Sequence, residues 1–139
     1  MPGEVFPPAA KSPRNMTILI VEDDADIGLF LQQLIEEETP YTTTLIDNGL
    51  TALEKAHQVT PCLLLLDYRL PGINGLELYD RLQENRDLRN LPTIMMSATL
   101  PVEELGKRGI YQLRKPMDIG SVIRMITHAL ATSEEKAIS

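Results

Sequence analysis

The stretch "LLLLDYRLPG" (residues 63–72) decides the fold, because four leucines run directly into an aspartate and then into a proline–glycine turn. A short, unbroken apolar run that ends at a turn is typical of a strand buried on both faces of a parallel sheet. In open α/β sheets, ligands bind beside the carboxyl ends of such strands. Asp67 is therefore either the point where the chain returns to solvent or a residue that the strand holds in a site.

Four more strand-like runs lie along the chain, and each of the five is followed by a helical pattern. The four runs are "MTILIV" (16–21), "TTTLI" (42–46), "TIMM" (93–96) and "IYQL" (110–113). Five strand–helix units predict an α/β fold with helices on both faces of a parallel sheet. The second and fifth runs mix polar and apolar residues, which suits the edges of the sheet. We therefore expect a doubly wound, five-stranded sheet in the order 2-1-3-4-5.

Composition excludes several classes of protein. A net charge of −7 over 139 residues, without a cluster of Lys and Arg, argues against a nucleic-acid partner. No apolar run approaches the ~20 residues needed to cross a bilayer, so we expect no membrane partner. The single cysteine, Cys62, cannot form an internal disulfide, which fits a reducing compartment. A cytoplasmic location is the resulting expectation.

The pattern of elements predicts one domain over residues 16–131. Residues 1–15 contain four prolines and no apolar segment of the kind found in signal peptides, so we expect a disordered leader. Residues 132–139 are mostly polar, and we expect them to form a flexible tail.

Polar side chains follow four of the predicted strands. Glu22 and Asp23 follow the first strand, Asp67 the third and Ser97 the fourth, while the fifth strand leads into Lys115. Adjacent strands lie about 4.8 Å apart, so these side chains are expected to meet around one crevice. Three carboxylates repel one another unless a cation joins them, and Mg²⁺ suits a small set of oxygen ligands. A hydroxyl and an ammonium group opposite the metal favour phosphoryl transfer to Asp67.

Each of these residues also has an ordinary structural interpretation. Acidic residues at a helix N-terminus can satisfy free backbone N–H groups, a serine after a strand is often a turn hydroxyl, and Lys115 could be a solvated charge. The functional interpretation depends on the coincidence that four strands deliver the required groups to the same edge of the sheet.

Four motifs in this chain resemble the receiver domain of two-component response regulators. They are "ILIVEDDADI", "LLLLDYRLPGINGLEL", "IMMSA" and "LRKPMD", and the resemblance covers residues 16–131. The separations of 44 residues from Asp23 to Asp67 (67 − 23) and 30 from Asp67 to Ser97 (97 − 67) suit that family. The resemblance implies a flavodoxin-like fold with Asp67 as the phosphoacceptor. It also implies that Ser97 binds a phosphoryl oxygen and that Lys115 pairs with the phosphate.

The same resemblance implies a Mg²⁺ site. Asp23 and Asp67 would ligate the ion directly, Glu22 would act largely through water, and the backbone carbonyl of Arg69 would be a further ligand. The Lys115–Pro116 bond is expected to be cis. The phosphoryl donor would be a histidine kinase or a histidine phosphotransfer protein. The domain would catalyse only its own phosphorylation and dephosphorylation, so we do not expect a classical enzyme.

Two features depart from the family pattern. Ser97 and Lys115 are only 18 residues apart (115 − 97), shorter than usual by about one helical turn, which predicts a shortened fourth helix. The aromatic switch residue of the family lies three positions before the lysine, where this chain has Gln112. The neighbouring Tyr111 would point to the opposite face of the strand. We therefore expect a complete phosphate site with an unusual output surface.

Three functions are compatible with these residues. The leading hypothesis is a stand-alone phosphoacceptor that signals by binding a downstream protein, as a monomer or a weak phosphorylation-dependent homodimer. The second is a pseudo-receiver, a constitutive interaction module that keeps the fold without the switch. The third is a metal-dependent phosphatase with an aspartyl nucleophile, although Arg69 stands where such enzymes carry a second acid.

Overall fold

Five parallel strands alternate with five helices along residues 16–138, which are the residues that the computed structural model describes. The strands are β1 (Thr17–Val21), β2 (Thr42–Ile46), β3 (Leu63–Asp67), β4 (Thr93–Ser97) and β5 (Tyr111–Arg114). The helices are α1 (Ala25–Glu38), α2 (Gly49–Val59), α3 (Gly75–Leu82), α4 (Val102–Lys107) and α5 (Ile119–Ile138). A short 3₁₀ turn (Arg86–Leu88), which the sequence did not predict, precedes β4.

The sheet has the order β2-β1-β3-β4-β5, and all of its neighbouring pairs are parallel. The predicted flavodoxin-like order is thus confirmed. Every residue of the central strands β3 and β4 is buried, whereas β2 and β5 are partly open to solvent. The threonine-rich β2 lies at an edge because its hydroxyls can remain hydrated there.

The consecutive leucines of β3 supply both halves of the core. Leu64 and Leu66 face a cluster that includes residues of α2, α3 and α4, and Leu63 and Leu65 face one that includes residues of α1 and α5. Alternation of side chains along a strand explains why an unbroken apolar run is needed at the centre of a sheet covered on both faces.

Side-chain caps fix the starts of several helices. The Asp24 carboxylate accepts hydrogen bonds from the N–H groups of Asp26 and Ile27 at the start of α1. Asn74 and Glu77 form the predicted capping box of α3. At α5, the Asp118 carboxylate accepts a hydrogen bond of 2.7 Å from the N–H of Ser121. These caps place the helix N-termini beside the carboxyl ends of the strands.

The fourth helix is short, as predicted, with six residues. The last helix runs from Ile119 to Ile138, so it continues past residue 131, where the sequence predicted the domain to end. The expected flexibility of residues 132–139 remains a prediction. The expected leader, residues 1–15, lies outside the described residues. Within residues 16–138, no helix combines the length and the apolar character required to cross a membrane.

Candidate functional site

Three carboxylates meet where β1 and β3 end side by side. Glu22 and Asp23 follow β1, Asp67 is the last residue of β3, and one oxygen of each carboxylate lies within 4.8 Å of one oxygen of the others. Glu22 and Asp67 are 1% and 4% exposed, whereas Asp23 is open to solvent. An all-oxygen donor set with one open side fits the small, hard Mg²⁺ ion, which usually keeps some of its waters.

Lys115 extends from the end of β5 across the end of β4 to this cluster. Its Nζ donates hydrogen bonds to Glu22 Oε1 at 3.0 Å and to Asp67 Oδ2 at 3.2 Å. The Lys115–Pro116 peptide bond is cis, as predicted. The sequence predicted that Lys115 would pair with a phosphate, but it did not predict the contact with Glu22.

The charges of the cluster are not balanced by Lys115 alone. Burial raises the pKa of Glu22 to about 7, and the neighbouring Asp67 carboxyl group adds to this effect, although the bond from Lys115 opposes it. For Lys115, burial lowers the pKa, but the bond to Glu22 and the charge of Asp67 outweigh burial and hold it above its usual value. Both shifts have the sign expected where buried carboxylates are short of positive charge. A further cation would therefore be favoured here.

Ser97 lies at the end of β4, one residue beyond Met96, which pairs in register with Asp67. Its side chain is buried, and its Oγ accepts a hydrogen bond of 3.2 Å from the N–H of Thr99. The carbonyl of Ser97 accepts a hydrogen bond of 3.0 Å from the N–H of Lys115. The Ser97 hydroxyl and the Lys115 ammonium group thus belong to two residues whose backbones are joined directly by a hydrogen bond.

The segment after β3 turns immediately behind Asp67. The backbone N–H of Arg69 donates to Asp67 Oδ1 at 3.2 Å, and the Arg69 side chain is exposed. The left-handed backbone of Gly72 (φ 82°) allows the chain to reverse towards α3. The sequence predicted a role for the Arg69 carbonyl but not for its N–H group. The sequence pattern of a strand that ends in a carboxylate does not reveal which backbone amide donates to it.

Gln112 and Tyr111 point to opposite faces of β5. The Gln112 amide donates a hydrogen bond of 3.4 Å to the carbonyl of Val102 at the start of α4. Tyr111 packs on the other face, edge-to-face with His128 of α5 at a ring-centroid distance of 5.6 Å. Tyr111 therefore does not occupy the position of the family's aromatic switch residue.

A family model for the response regulator receiver domain matches residues 18–127. The chain belongs to this family.

Individual relatives agree with the family match. The chain is 35% identical over 82 residues to the polar-differentiation response regulator DivK of Brucella anthropi, and the match spans 59% of this chain and 66% of DivK. The matched part is thus slightly less than two thirds of that relative's length. The receiver domain of the Francisella response regulator 1452 is 26% identical, with a TM-score of 0.75 and coverage of 86% of this chain and 99% of that one. The fold also matches the receiver domain of the sensor histidine kinase PA1611 of Pseudomonas aeruginosa, with 22% identity, a TM-score of 0.75 and coverage of 84% and 98%.

Membership of the family gives this chain a general role. Receiver domains are signalling modules of two-component systems that bind Mg²⁺ in an acidic active site and interact with histidine kinases or phosphotransfer proteins. They are not classical enzymes, which argues against the aspartyl phosphatase considered from the sequence. The absence of any enzymatic activity in this chain remains a prediction.

Proposed function

We propose that this receiver domain accepts a phosphoryl group on Asp67, in a Mg²⁺-dependent reaction, and signals by binding another protein. The observation that carries the proposal is the position of Lys115 Nζ, 3.2 Å from Asp67 Oδ2, beside three carboxylates whose oxygens lie within 4.8 Å of one another. An ammonium group beside an acceptor carboxylate and a metal-binding set is the arrangement required to hold an anionic phosphoryl group.

The chemistry follows from the positions of the side chains. An Asp67 carboxylate oxygen attacks phosphorus, an O–P bond forms, and the N–P bond of a phosphohistidine donor breaks, leaving its electron pair on the histidine nitrogen. Lys115 offsets negative charge on the phosphoryl oxygens, and the Ser97 hydroxyl donates a hydrogen bond to one of them. Because phosphoryl transfer involves little covalent chemistry by the protein, positioning and charge stabilisation account for most of the acceleration.

Glu22, Asp23, Asp67 and the carbonyl of Arg69 would hold the Mg²⁺ ion. Bound there, the ion would supply positive charge that reduces repulsion between the carboxylates and the incoming phosphoryl group. The raised pKa of Glu22 supports this assignment, because a buried carboxylate short of positive charge favours a cation. The PA1611 receiver domain, which has the same fold, is described with a magnesium ion coordinated in its active-site cleft.

The partners we propose are a histidine kinase or a histidine phosphotransfer protein as the donor and a downstream protein as the target. The pseudo-receiver hypothesis is less well supported, because the chain combines the acidic cluster with Ser97 and Lys115, none of which a purely structural module would need. This chain has Gln112 at the position of the family's aromatic switch residue, where its amide bonds to the Val102 carbonyl. We therefore expect the way in which phosphorylation changes the protein-binding surface to be the distinctive property of this chain.

The test is mass analysis of the intact protein after incubation with acetyl phosphate and Mg²⁺. We expect one phosphate adduct on the parent protein and none on Asp67→Asn, which keeps the size of the side chain but removes its nucleophilic carboxylate. Omitting Mg²⁺ should abolish the adduct.

Asp87→Asn is the matched control, because Asp87 is an exposed aspartate in the 3₁₀ turn, away from the cluster. It should take up phosphate as the parent does. A phosphate adduct that persists in Asp67→Asn would show that another residue is the acceptor. No adduct on the parent, with acetyl phosphate or with a phosphorylated histidine donor, would favour the pseudo-receiver.

A further inference from the structure

Arg114, the residue directly before Lys115, reaches the turn that follows Ser97. It pairs in register with Ser97 across β4 and β5, and its Nη1 donates a hydrogen bond of 2.9 Å to the carbonyl of Ala98. Its side chain lies on the face of β5 opposite Leu113, which is buried among residues of α1 and α5. Arg114 thus touches the β4–α4 connection and not the core.

The Ala98 residue lies beside two hydrogen bonds of Ser97, one to its backbone carbonyl and one to its hydroxyl. On one side, Ser97 itself is tied to β5 by the bond from the N–H of Lys115 to its carbonyl, at 3.0 Å. On the other side, the N–H of Thr99 donates to Ser97 Oγ at 3.2 Å. Fixing the Ala98 carbonyl fixes the plane of the Ala98–Thr99 peptide, and therefore the direction of that N–H group.

Little else holds this turn. Ala98 and Thr99 are both exposed, so core packing does not fix them. The helix that follows, α4, has six residues and begins without a side-chain cap. A short helix without a cap is a weak anchor for the turn before it. The Arg114 side chain therefore provides a direct hydrogen bond from β5 to the turn, at Ala98. The bond from the Gln112 side chain, at 3.4 Å, reaches Val102, which lies four residues after Ala98.

We infer that Arg114 is a positioning residue, which fixes the Ser97–Thr99 turn so that the Ser97 hydroxyl faces the phosphoryl group on Asp67. The inference rests on the proposed function. Arg114 acts through the turn and does not itself touch the phosphoryl group. It links Ser97 and Lys115, since it pairs in register with Ser97 and directly precedes Lys115 in sequence.

An exposed arginine could instead serve as a contact for a donor protein. The two roles differ in a reaction without a protein donor, because a docking contact has no effect on phosphorylation by acetyl phosphate. A positioning residue slows that reaction as well, since the Ser97 hydroxyl is then less often in place.

The experiment compares Arg114→Met, which keeps the length of the stem and removes the donor, with Arg114→Gln, which keeps a neutral donor. Phosphorylation by acetyl phosphate with Mg²⁺ is followed by intact mass over a range of donor concentrations. We expect Arg114→Met to lower the maximal rate about three- to tenfold, the range for losing one hydrogen bond, and Arg114→Gln to recover part of it. Arg86→Met, an exposed arginine in the 3₁₀ turn, is the control and should match the parent.

Amide hydrogen exchange of Thr99 in the unphosphorylated protein gives a readout that needs no activity. It should be faster in Arg114→Met than in the parent and unchanged in Arg86→Met. Slower phosphorylation with faster Thr99 exchange supports the inference. Unchanged phosphorylation in Arg114→Met overturns it and leaves the proposed function intact, while slower phosphorylation without a change at Thr99 also overturns it. A parent protein that takes up no phosphate overturns the proposed function and the inference together.

Discussion

At the residue scale, Gly75 is where α3 begins, in close contact with the end of β3. A Cβ atom on this residue would collide with the backbone carbonyl oxygen of Asp67, would lie 2.7 Å from the Met95 sulfur, and would lie 2.9 Å from the Tyr68 Cα. The N–H of Gly75 donates to the carbonyl of Tyr68 at 2.8 Å. The absence of a side chain therefore lets the helix start against the end of β3.

Replacing Gly75 by alanine should destabilise the protein by about 1 to 3 kcal/mol, the usual cost of overpacking. Two of the three atoms in the way belong to the backbone and cannot move aside easily. The free energy of unfolding in urea measures the effect. Gly106→Ala is the matched control, since its added Cβ would meet no atom within 4 Å apart from its chain neighbours and the backbone of its own helix, and alanine favours the helix by about 1 kcal/mol. Equal stabilities of the two variants would contradict the assigned crowding.

That the side chains of the site lie together could be predicted because parallel strands bring their carboxyl ends to one edge, whereas their roles remain predictions. This geometry placed Asp67, Ser97 and Lys115 together without knowledge of any contact. The hydrogen bond between Lys115 and Glu22 could not be predicted, because it depends on which way a long, flexible side chain turns after crossing the end of β4. The hydrogen bond from Arg114 to Ala98 could not be predicted for the same reason.

At the element scale, α4 is held by its neighbours more than by its own sequence. Arg108, just after its last residue, forms a two-bonded ion pair with Asp80 of α3 at 2.8 and 2.9 Å. It also bonds to the Glu104 carboxylate at 3.1 Å. These contacts fix the C-terminal end of a helix that lacks a side-chain cap at its start.

Arg108→Ala should destabilise the protein by about 0.5 to 1 kcal/mol, because the pair with Asp80 is bidentate but partly exposed. Urea unfolding of Arg108→Ala, Asp80→Ala and the double variant gives the coupling energy between Arg108 and Asp80. High salt should reduce this coupling energy. Lys107→Ala, which removes a more exposed pair with Glu104, is the control and should have a smaller effect. A coupling energy near zero at low salt would show that Arg108 does not anchor α4.

The strands and helices themselves were largely predictable. The order of the strands could also be predicted, because the fully apolar runs belong at the centre of the sheet. The threonines of β2 and the mixed β5 indicated edges, and both strands lie there. The strand bounds differ by one residue at several ends, and β3 includes Asp67. The 3₁₀ turn was missed because short turns have weak sequence signals. The extension of α5 to Ile138 was missed because the mostly polar residues after position 131 do not continue the apolar pattern of the helix.

At the scale of the whole molecule, Mg²⁺ should stabilise the folded state. The cluster of Glu22, Asp23 and Asp67 exists only when β1 and β3 are paired, so the ion binds the native chain in preference to the unfolded one. At ten times its dissociation constant, the ion should add about 1.4 kcal/mol to the free energy of unfolding. Thermal unfolding in Mg²⁺ and in EDTA measures the difference.

Asp23→Asn should lose this stabilisation while folding normally, because Asp23 is exposed and outside the core. Asp87→Asn is the control and should keep it. A shift of the same size in both variants would mean that the ion acts elsewhere on the protein.

The bond between Lys115 and Glu22 joins residues 93 positions apart. Glu22 precedes four of the five strands in the order of synthesis, whereas Lys115 follows β5. A chain in which β5 has not yet paired would carry Asp67 without the ammonium group of Lys115 beside it. If Asp67 accepts phosphate as proposed, the charge that Lys115 supplies to that reaction becomes available only once β5 has joined the sheet.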